Sequence, residues 1–441
     1  MDYGIQHGST LINNTKRKRL YAASSFFVKG LLKLNCGFLN SSLHVCKMEL
    51  YNRRVKKIIL MESEENVMNT EILFKPFKIG NLSLPNRIVM APMTRNFSPQ
   101  GVPGPEVAAY YRRRAENAVG LIITEGTAIN HPAAVEHTGI PNFYGEGLKG
   151  WAKVVEEVHA AGGKIIPQLW HVGTARKIGA DNQPNPEALP VGPSGISPAG
   201  EKVVEPLTEA EIADIIAAFA QAAADAKQVG FDGIELHGAH GYLIDQFFWD
   251  KTNKRTDQYG GDLVQRTRFA VEVIEACRRA VGPDFPIVLR FSQWKMYHYG
   301  EKLAQTPQEL EQFLAPLVKA GVDIFHCSSR RFWEPEFEGS DLNLAAWTKK
   351  ITGKPVITVG SVGLEKAFLS DLEKNNSLQT DQSSSVEARL EQLMGLVERE
   401  EFDLVAVGRA LLVDPAFAVK LRDQQIKEII PYNDELLKTL N

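Results

Sequence analysis

Residues 233–242 read GIELHGAHGY: a short, mostly aliphatic run gives way at His237 to a tip crowded with hydrogen-bonding groups. Seven other runs share this make-up: Ile88–Ala91, Leu121–Glu125, Lys164–Trp170, Ile287–Phe291, Asp323–Cys327, Val356–Val359 and Leu404–Val407. Most are continuously apolar rather than alternating, which is how strands buried on both faces read. Their tips are APMTR (91–95), TEGTA (124–128), QLWHVG (168–173), LRFSQW (289–294), CSSRR (327–331), VGSVG (359–363) and VGRAL (407–411).

Between the runs lie helical patterns at Glu106–Asn117, Leu148–Ala161, Glu209–Val229, Leu263–Val281, Pro307–Ala320 and Val386–Glu400. Gly120, Gly162, Gly230, Gly282 and Gly321 are read as helix stops. Strand–helix alternation repeated eight times has one common solution, the (β/α)8 barrel. A doubly wound sheet is the competitor, but no GxGxxG follows a strand and no P-loop is present. Residues 172–207, rich in Pro, Gly and Asn, read as an excursion over the barrel mouth, and 374–385 (KNNSLQTDQSSS) as a polar surface insert.

The 44% hydrophobic and 23% charged composition is that of a globular protein. No apolar run approaches the roughly 18 residues of a bilayer span. The net charge of −3 argues against a nucleic-acid partner. The four cysteines, Cys36, Cys46, Cys277 and Cys327, form no CxxC pair, against a disulfide scaffold or a thiolate metal site. Charge is unevenly spread: residues 1–60 carry 11 Lys+Arg and 2 Asp+Glu, the remainder 39 and 51. Residues 1–68 are therefore read as a basic extension outside the fold, with translation starting at Met61 or Met68, and residues 69–441 as one barrel domain. The alternative for the extension is an organellar transit peptide. The expected compartment is cytoplasmic, or an organelle in that alternative case.

In such barrels, working residues cluster at the carboxyl ends of the strands. Gly360-Ser361 and Gly408-Arg409, after strands seven and eight, stand where exposed backbone N–H groups commonly bind phosphate, and tight turns alone are the plainer reading. His237, His240 and Tyr242 share one tip. The HxxH spacing also permits a metal site in a lyase or hydrolase, with His171 or Asp245 as further ligands. That spacing crosses a strand end and a glycine turn rather than one helical face, which disfavours it. Arg255, Asp257 and Arg266 read as a structural network. For Trp294, Tyr297, Tyr299 and Phe332-Trp333, pocket lining and exposed loop are both open.

The segments HGAHGYLIDQFF, RTDQYGG, LFKPFKIGNLSLPNRIVMAPMTR, QLWH and VAVGRALLVDP, in this spacing from about Leu73 to Asn441, resemble the old yellow enzyme family. The resemblance implies a (β/α)8 barrel that binds FMN tightly but non-covalently and reduces activated C=C bonds, such as those of α,β-unsaturated carbonyl compounds, with NAD(P)H. It implies a ping-pong hydride transfer through flavin N5. Pro92, Met93, Thr94 and the backbone at Gly126 would meet the flavin, Gln168 its pyrimidine portion, and Arg290 its N1–O2 edge. Gly360, Ser361, Gly408 and Arg409 would hold the FMN phosphate. His237 and His240 would be paired donors to a substrate carbonyl, where many relatives have Asn at the second position. Tyr242 would be the proton donor and Trp170 would border the substrate. A departure follows QLWHVG, where Thr174-Ala175-Arg176-Lys177 replaces an arginine expected directly after Gly173. The implied partners are NAD(P)H and a small alkene, with no nucleic acid or membrane, in a monomer or homodimer.

Overall fold

In the computed structural model, which describes residues 68–364 and 385–441, the eight apolar runs become eight parallel strands. Two short strands, β1 (Phe77–Ile79) and β2 (Leu82–Leu84), precede them as an antiparallel hairpin. The barrel strands are β3 (Ile88–Met90), β4 (Leu121–Ala128), β5 (Ile165–Trp170), β6 (Ile234–His240), β7 (Ile287–Lys295), β8 (Ile324–Ser328), β9 (Val356–Val359) and β10 (Leu404–Val407). They pair in chain order, and β10 closes on β3, so the barrel has no free sheet edge. This is the (β/α)8 architecture that the alternation predicts.

The side chains pointing to the barrel axis near the strand starts are aliphatic. Val89, Leu121, Ile123, Ile166, Val288, Ile324, Ile357, Leu404 and Ala406 form one dry cluster. Leu82 and Leu84 of the hairpin pack into it and plug that end. Gly80 turns the hairpin at φ 51°, where an added Cβ would lie 2.7 Å from the Asp284 carbonyl oxygen. This hairpin is absent from the sequence reading, because three-residue strands carry too little alternation to register.

The outer helices are α1 (Pro105–Glu116), α2 (Gly147–Ala160), α3 (Glu209–Val229), α4 (Leu243–Phe248), α5 (Arg268–Val281), α6 (Pro307–Ala320), α7 (Leu344–Thr352), α8 (Val386–Glu398), α9 (Arg409–Val413) and α10 (Phe417–Arg422). α3 starts at a full capping box, Thr208 with Glu211, and ends at Gly230 in the left-handed region. Gly321 ends α6 in the same way. Gly120 is not a helix stop: Asn117 caps α1, and Gly120 instead makes room for Asn86, whose Oδ1 would be 2.5 Å from an added Cβ. α5 begins at Arg268 rather than Leu263, since Asp262 and Gln265 tie residues 262–265 into a turn by reciprocal side chain–backbone bonds.

Residues 1–67 of the expected basic extension, with Cys36 and Cys46, lie outside the described residues, as do 374–384 of the polar insert. Met68, placed in the extension by sequence, packs in the core at 8% exposure. Ser385 caps α8. Cys277 and Cys327 are buried free thiols. Among the described residues, no helix is long and apolar enough to cross a membrane.

Candidate active site

Above the aliphatic plug the barrel interior turns polar. Gln168 (β5), Glu235 (β6), Arg290 (β7) and His326 (β8) are all buried, two residues above Ile166, Val288 and Ile324 on the same strands. Gln168 Nε2 donates to Glu235 Oε1 at 2.7 Å, and His326 Nδ1 lies 2.6 Å from Glu235 Oε2. This contact turns one amide hydrogen of Gln168 away from the mouth and leaves its carbonyl oxygen available. Arg290 reaches Ser328 Oγ through Nη2 at 3.2 Å, and its Nε is buried without a protein partner. A buried guanidinium with donors to spare is an anion-facing device.

His237, His240 and Tyr242 follow at the end of β6. Their rings are mutually close, with His237 centred 5.2 Å from His240 and 5.1 Å from Tyr242. Trp170 stacks on His237 at 6.0 Å and meets the Tyr242 ring edge-on at 4.9 Å. Burial, reinforced by the Arg290 charge, holds both imidazoles well below their ordinary value. Burial pushes the Tyr242 phenol up, which keeps it protonated at neutral pH.

The backbone at this tip is unusual and well held. A register shift between Gly238 and His240 interrupts the pairing of β6 with β7. His240 takes φ 65° and Gly241 φ 81°. The His240 N–H donates to Ser292 Oγ at 3.0 Å, and its carbonyl accepts from Met296 N. Trp294 stacks on the His240 ring at 4.3 Å. The Gly241 N–H donates to Asp245 Oδ2, while Asp245 Oδ1 takes Lys295 Nζ at 2.8 Å, an ion pair with no solvent exposure. Burial pushes the Asp245 carboxyl up and the Lys295 ammonium down, each opposed by the other's charge.

Most of the residues singled out by sequence converge here. Pro92, Thr94, Gln168, Trp170, His237, His240, Tyr242 and Arg290 line one cavity. The adjoining cavity is lined by Met93, His240, Arg290, Gly360, Ser361, Gly408 and Arg409, among others. Gly126 lines neither. It lies against Trp170, whose ring an added Cβ would meet at 2.5 Å. Trp294 and Tyr299 line the second cavity, whereas Tyr297 is exposed and Phe332 is buried beneath Trp333. Arg255 pairs with Asp257, but Arg266 does not join them and binds the Phe248 and Gly261 carbonyls. Arg176, the departure noted in sequence, staples the loop after β5 by donating to the carbonyls of Val135, Pro184, Asn185 and Ala188. Among the described residues, no three His, Cys, Asp or Glu side chains gather as a metal-ligand set.

Several participants escaped the sequence reading: Glu235, His326, Ser292, Ser328 and Lys295, the partner of Asp245. A charged residue inside an apolar strand, as in GIELHG, was the available signal. A buried carboxylate in mid-strand is costly and needs a partner.

The cavities fit FMN on their donor sets. An amide edge at Gln168 matches a pyrimidine, and the spare guanidinium donor at Arg290 matches its electron-rich side. The Gly360 position admits only glycine, since an added Cβ would come within 3.0 Å of the Ser329 oxygen and the Arg331 nitrogen. Gly408 opens toward Met93 Sδ, 3.5 Å from where its Cβ would stand, with Arg409 beside it on the same cavity. Two glycine-bearing turns lining one cavity suit a phosphate.

Comparison with known proteins agrees. Residues 72–379 match the model of the NADH:flavin oxidoreductase / NADH oxidase family. A putative 12-oxophytodienoate reductase 2 from Oryza sativa subsp. japonica is 44% identical over 350 residues, covering 78% of this chain and 85% of the relative. An NADH oxidase from Thermoanaerobacter brockii is 36% identical over 373 residues, 81% of this chain, and this chain spans about half (52%) of that relative's length. Among solved structures, morphinone reductase in complex with tetrahydroNAD superposes with a TM-score of 0.67 at 28% identity, covering 83% of this chain and 93% of that one. The chain belongs to the NADH:flavin oxidoreductase / NADH oxidase family, the group of the old yellow enzymes.

Proposed function

We propose that the protein is an ene-reductase that uses NAD(P)H to reduce a C=C bond conjugated to a carbonyl or similar group. Bound FMN would supply the hydride, having taken it from NAD(P)H. Gln168 and Arg290 would hold its pyrimidine edge, with Pro92, Met93, Thr94 and the backbone near Gly126 alongside. Gly360, Ser361, Gly408 and Arg409 would hold its phosphate.

The observation that carries the reading is the convergence of His237, His240 and Tyr242 on the cavity shared with Gln168 and Arg290. Two neutral imidazoles can donate to one carbonyl oxygen and stabilise the enolate-like charge that grows there as hydride reaches the β-carbon. Trp170 borders that space. Tyr242 Oη then gives its proton to the α-carbon, completing addition of two hydrogens, and solvent restores the phenol. A raised pKa keeps the acid loaded at neutral pH. The nicotinamide amide and the substrate carbonyl call for the same donors. The two substrates therefore use the cavity in turn, and the kinetics are ping-pong.

Stopped-flow measurement of the half-reactions tests this. In Tyr242→Phe, flavin reduction by NAD(P)H stays fast, because it needs no acid. Alkene reduction slows by roughly 10²–10⁴-fold, the range for a positioned acid. Equal slowing of both halves would make Tyr242 a binding residue instead.

A further inference from the structure

We infer that Ser328 sets which ring nitrogen of His240 carries the proton, so that His237 and His240 present N–H groups from opposite ring nitrogens to one cavity. The argument is one of hydrogen-bond satisfaction. Ser328 is 2% exposed at the end of β8, and its Oγ lies 3.2 Å from Arg290 Nη2 and 2.8 Å from His240 Nε2. A guanidinium can only donate, so Arg290 takes a lone pair of Oγ. The hydroxyl proton then needs an acceptor, and among the described residues His240 Nε2 is the group within reach. The reverse arrangement, with Nε2–H donating to Oγ, leaves that hydroxyl hydrogen without a protein acceptor among the described residues, which costs about 1–3 kcal/mol. Nε2 therefore accepts, and the proton of the neutral ring sits on Nδ1.

His237 is set the other way. Its Nδ1 accepts the backbone N–H of Ala239, a long bond at 3.4 Å, which leaves the proton on Nε2. Both rings line the cavity, and neither free nitrogen has a protein partner among the described residues. His240 cannot swing away to change this. Trp294 is stacked on its face, and its backbone is fixed at both N–H and carbonyl by Ser292 and Met296. Trp294 is itself held, since its Nε1 donates to the Ser328 carbonyl at 2.9 Å. Ser328 thus acts twice on His240, through its hydroxyl on the ring nitrogen and through its carbonyl on the stacking partner. Ser328 is a positioning residue: it touches neither reacting carbon and works through His240.

The consequence for turnover rests on the enone reading above, but the tautomer does not. Long-range 1H–15N correlation spectra of the full, flavin-loaded chain, labelled with 15N in its histidine rings, report the protonated nitrogen of each ring without any substrate. His237→Asn and His240→Asn spectra assign the signals. The expected result is Nδ1–H at His240 and Nε2–H at His237. In Ser328→Ala, His240 shifts to Nε2–H or to an exchanging mixture while His237 is unchanged, and Ser328→Thr, which keeps a hydroxyl, retains the original pattern. With cyclohexenone as probe, kcat/KM falls roughly tenfold in Ser328→Ala, the value of about one hydrogen bond, and recovers in Ser328→Thr. His240 found as Nε2–H in the unaltered protein would overturn the inference. So would an unchanged Nδ1–H in Ser328→Ala. The expected spectra with no effect on enone turnover would uphold the tautomer assignment and count against the enone reading instead.

Discussion

The two ends of the barrel interior are built from the same strands by opposite means. At the end where the strands begin, Leu121, Ile324, Leu404 and the hairpin residues Leu82 and Leu84 fill the axis with hydrocarbon. At the other end, the same strands carry Gln168, Glu235, Arg290 and His326, with Lys295 and Asp245 beside the mouth. Leu121, Ile324 and Leu404 are buried at one end and Gln168, Glu235, Arg290 and His326 at the other, so burial alone does not separate the two. The difference lies in what a side chain does once water is gone. Aliphatic side chains gain from burial whatever their neighbours, whereas each polar group depends on particular partners. The lower end can thus tolerate approximate packing, and the upper end cannot tolerate a missing partner.

The largest expected effect exploits that dependence. Asp245→Ala leaves Lys295 buried without its counter-charge, and breaking a buried pair on one side costs about 3–5 kcal/mol. Replacing both, as Asp245→Leu with Lys295→Met, recovers most of that stability, because a packed apolar pair can replace a buried ion pair. Urea unfolding curves check both variants. Recovery of stability without recovery of turnover would show that the pair serves the His240–Tyr242 turn rather than the fold. At the lower end, Leu121→Ala leaves a cavity and costs about 2–5 kcal/mol, with flavin content unchanged in the folded protein. Loss of flavin in that variant at full folding would break the division between the two ends.

The smallest expected effect is on pH dependence, through another buried carboxylate. Glu125, on β4, accepts the backbone N–H groups of Arg95 and Asn96, just past the Pro92–Thr94 segment. Burial pushes its pKa from 4.5 up to about 7, with those two hydrogen bonds opposing. The folded state therefore binds this proton more readily than the unfolded chain. The stability this contributes is complete below about pH 4.5 and lost as pH rises through about 7. Glu125→Gln keeps an acceptor and cannot ionise, so it flattens that decline by up to about 3 kcal/mol. Unfolding free energies at pH 5 and pH 8 provide the check, and parallel slopes in the two proteins would dismiss the carboxylate as the cause.

The same contrast governs how much of the molecule could be read from its sequence. Buried parallel strands betray themselves by unbroken apolar runs, and β9 and β10 fall at the expected residues. β6 and β7 run on past the expected ends, to His240 and Lys295, because their polar continuation is still strand. Polarity at those positions reflects the cavity, not a turn. The residues named for the site converge, save Gly126. What stayed hidden was the support: Glu235 beside Gln168, Ser328 beside His240, and Lys295 paired with Asp245. Such partnerships join residues up to 91 positions apart, as between Glu235 and His326, and no local pattern announces them. The arginines Arg95, Arg113 and Arg114, which bind the backbone carbonyls of residues 437–441, are invisible to sequence reading for the same reason.

The backbone of His240 has a consequence for which side chains this position can carry at all. At φ 65° most side chains crowd their own carbonyl, and beyond glycine the residues most at ease are Asn, Asp and His. Asp is an acceptor when ionised, so under the proposed donor role the conformation favours Asn and His. Those are the two residues found at this position in the sequence pattern of old yellow enzymes. The conformation of the chain therefore weights the alphabet before chemistry chooses from it, and an attempt to install a β-branched donor such as Thr would be resisted by a dihedral angle rather than by the substrate.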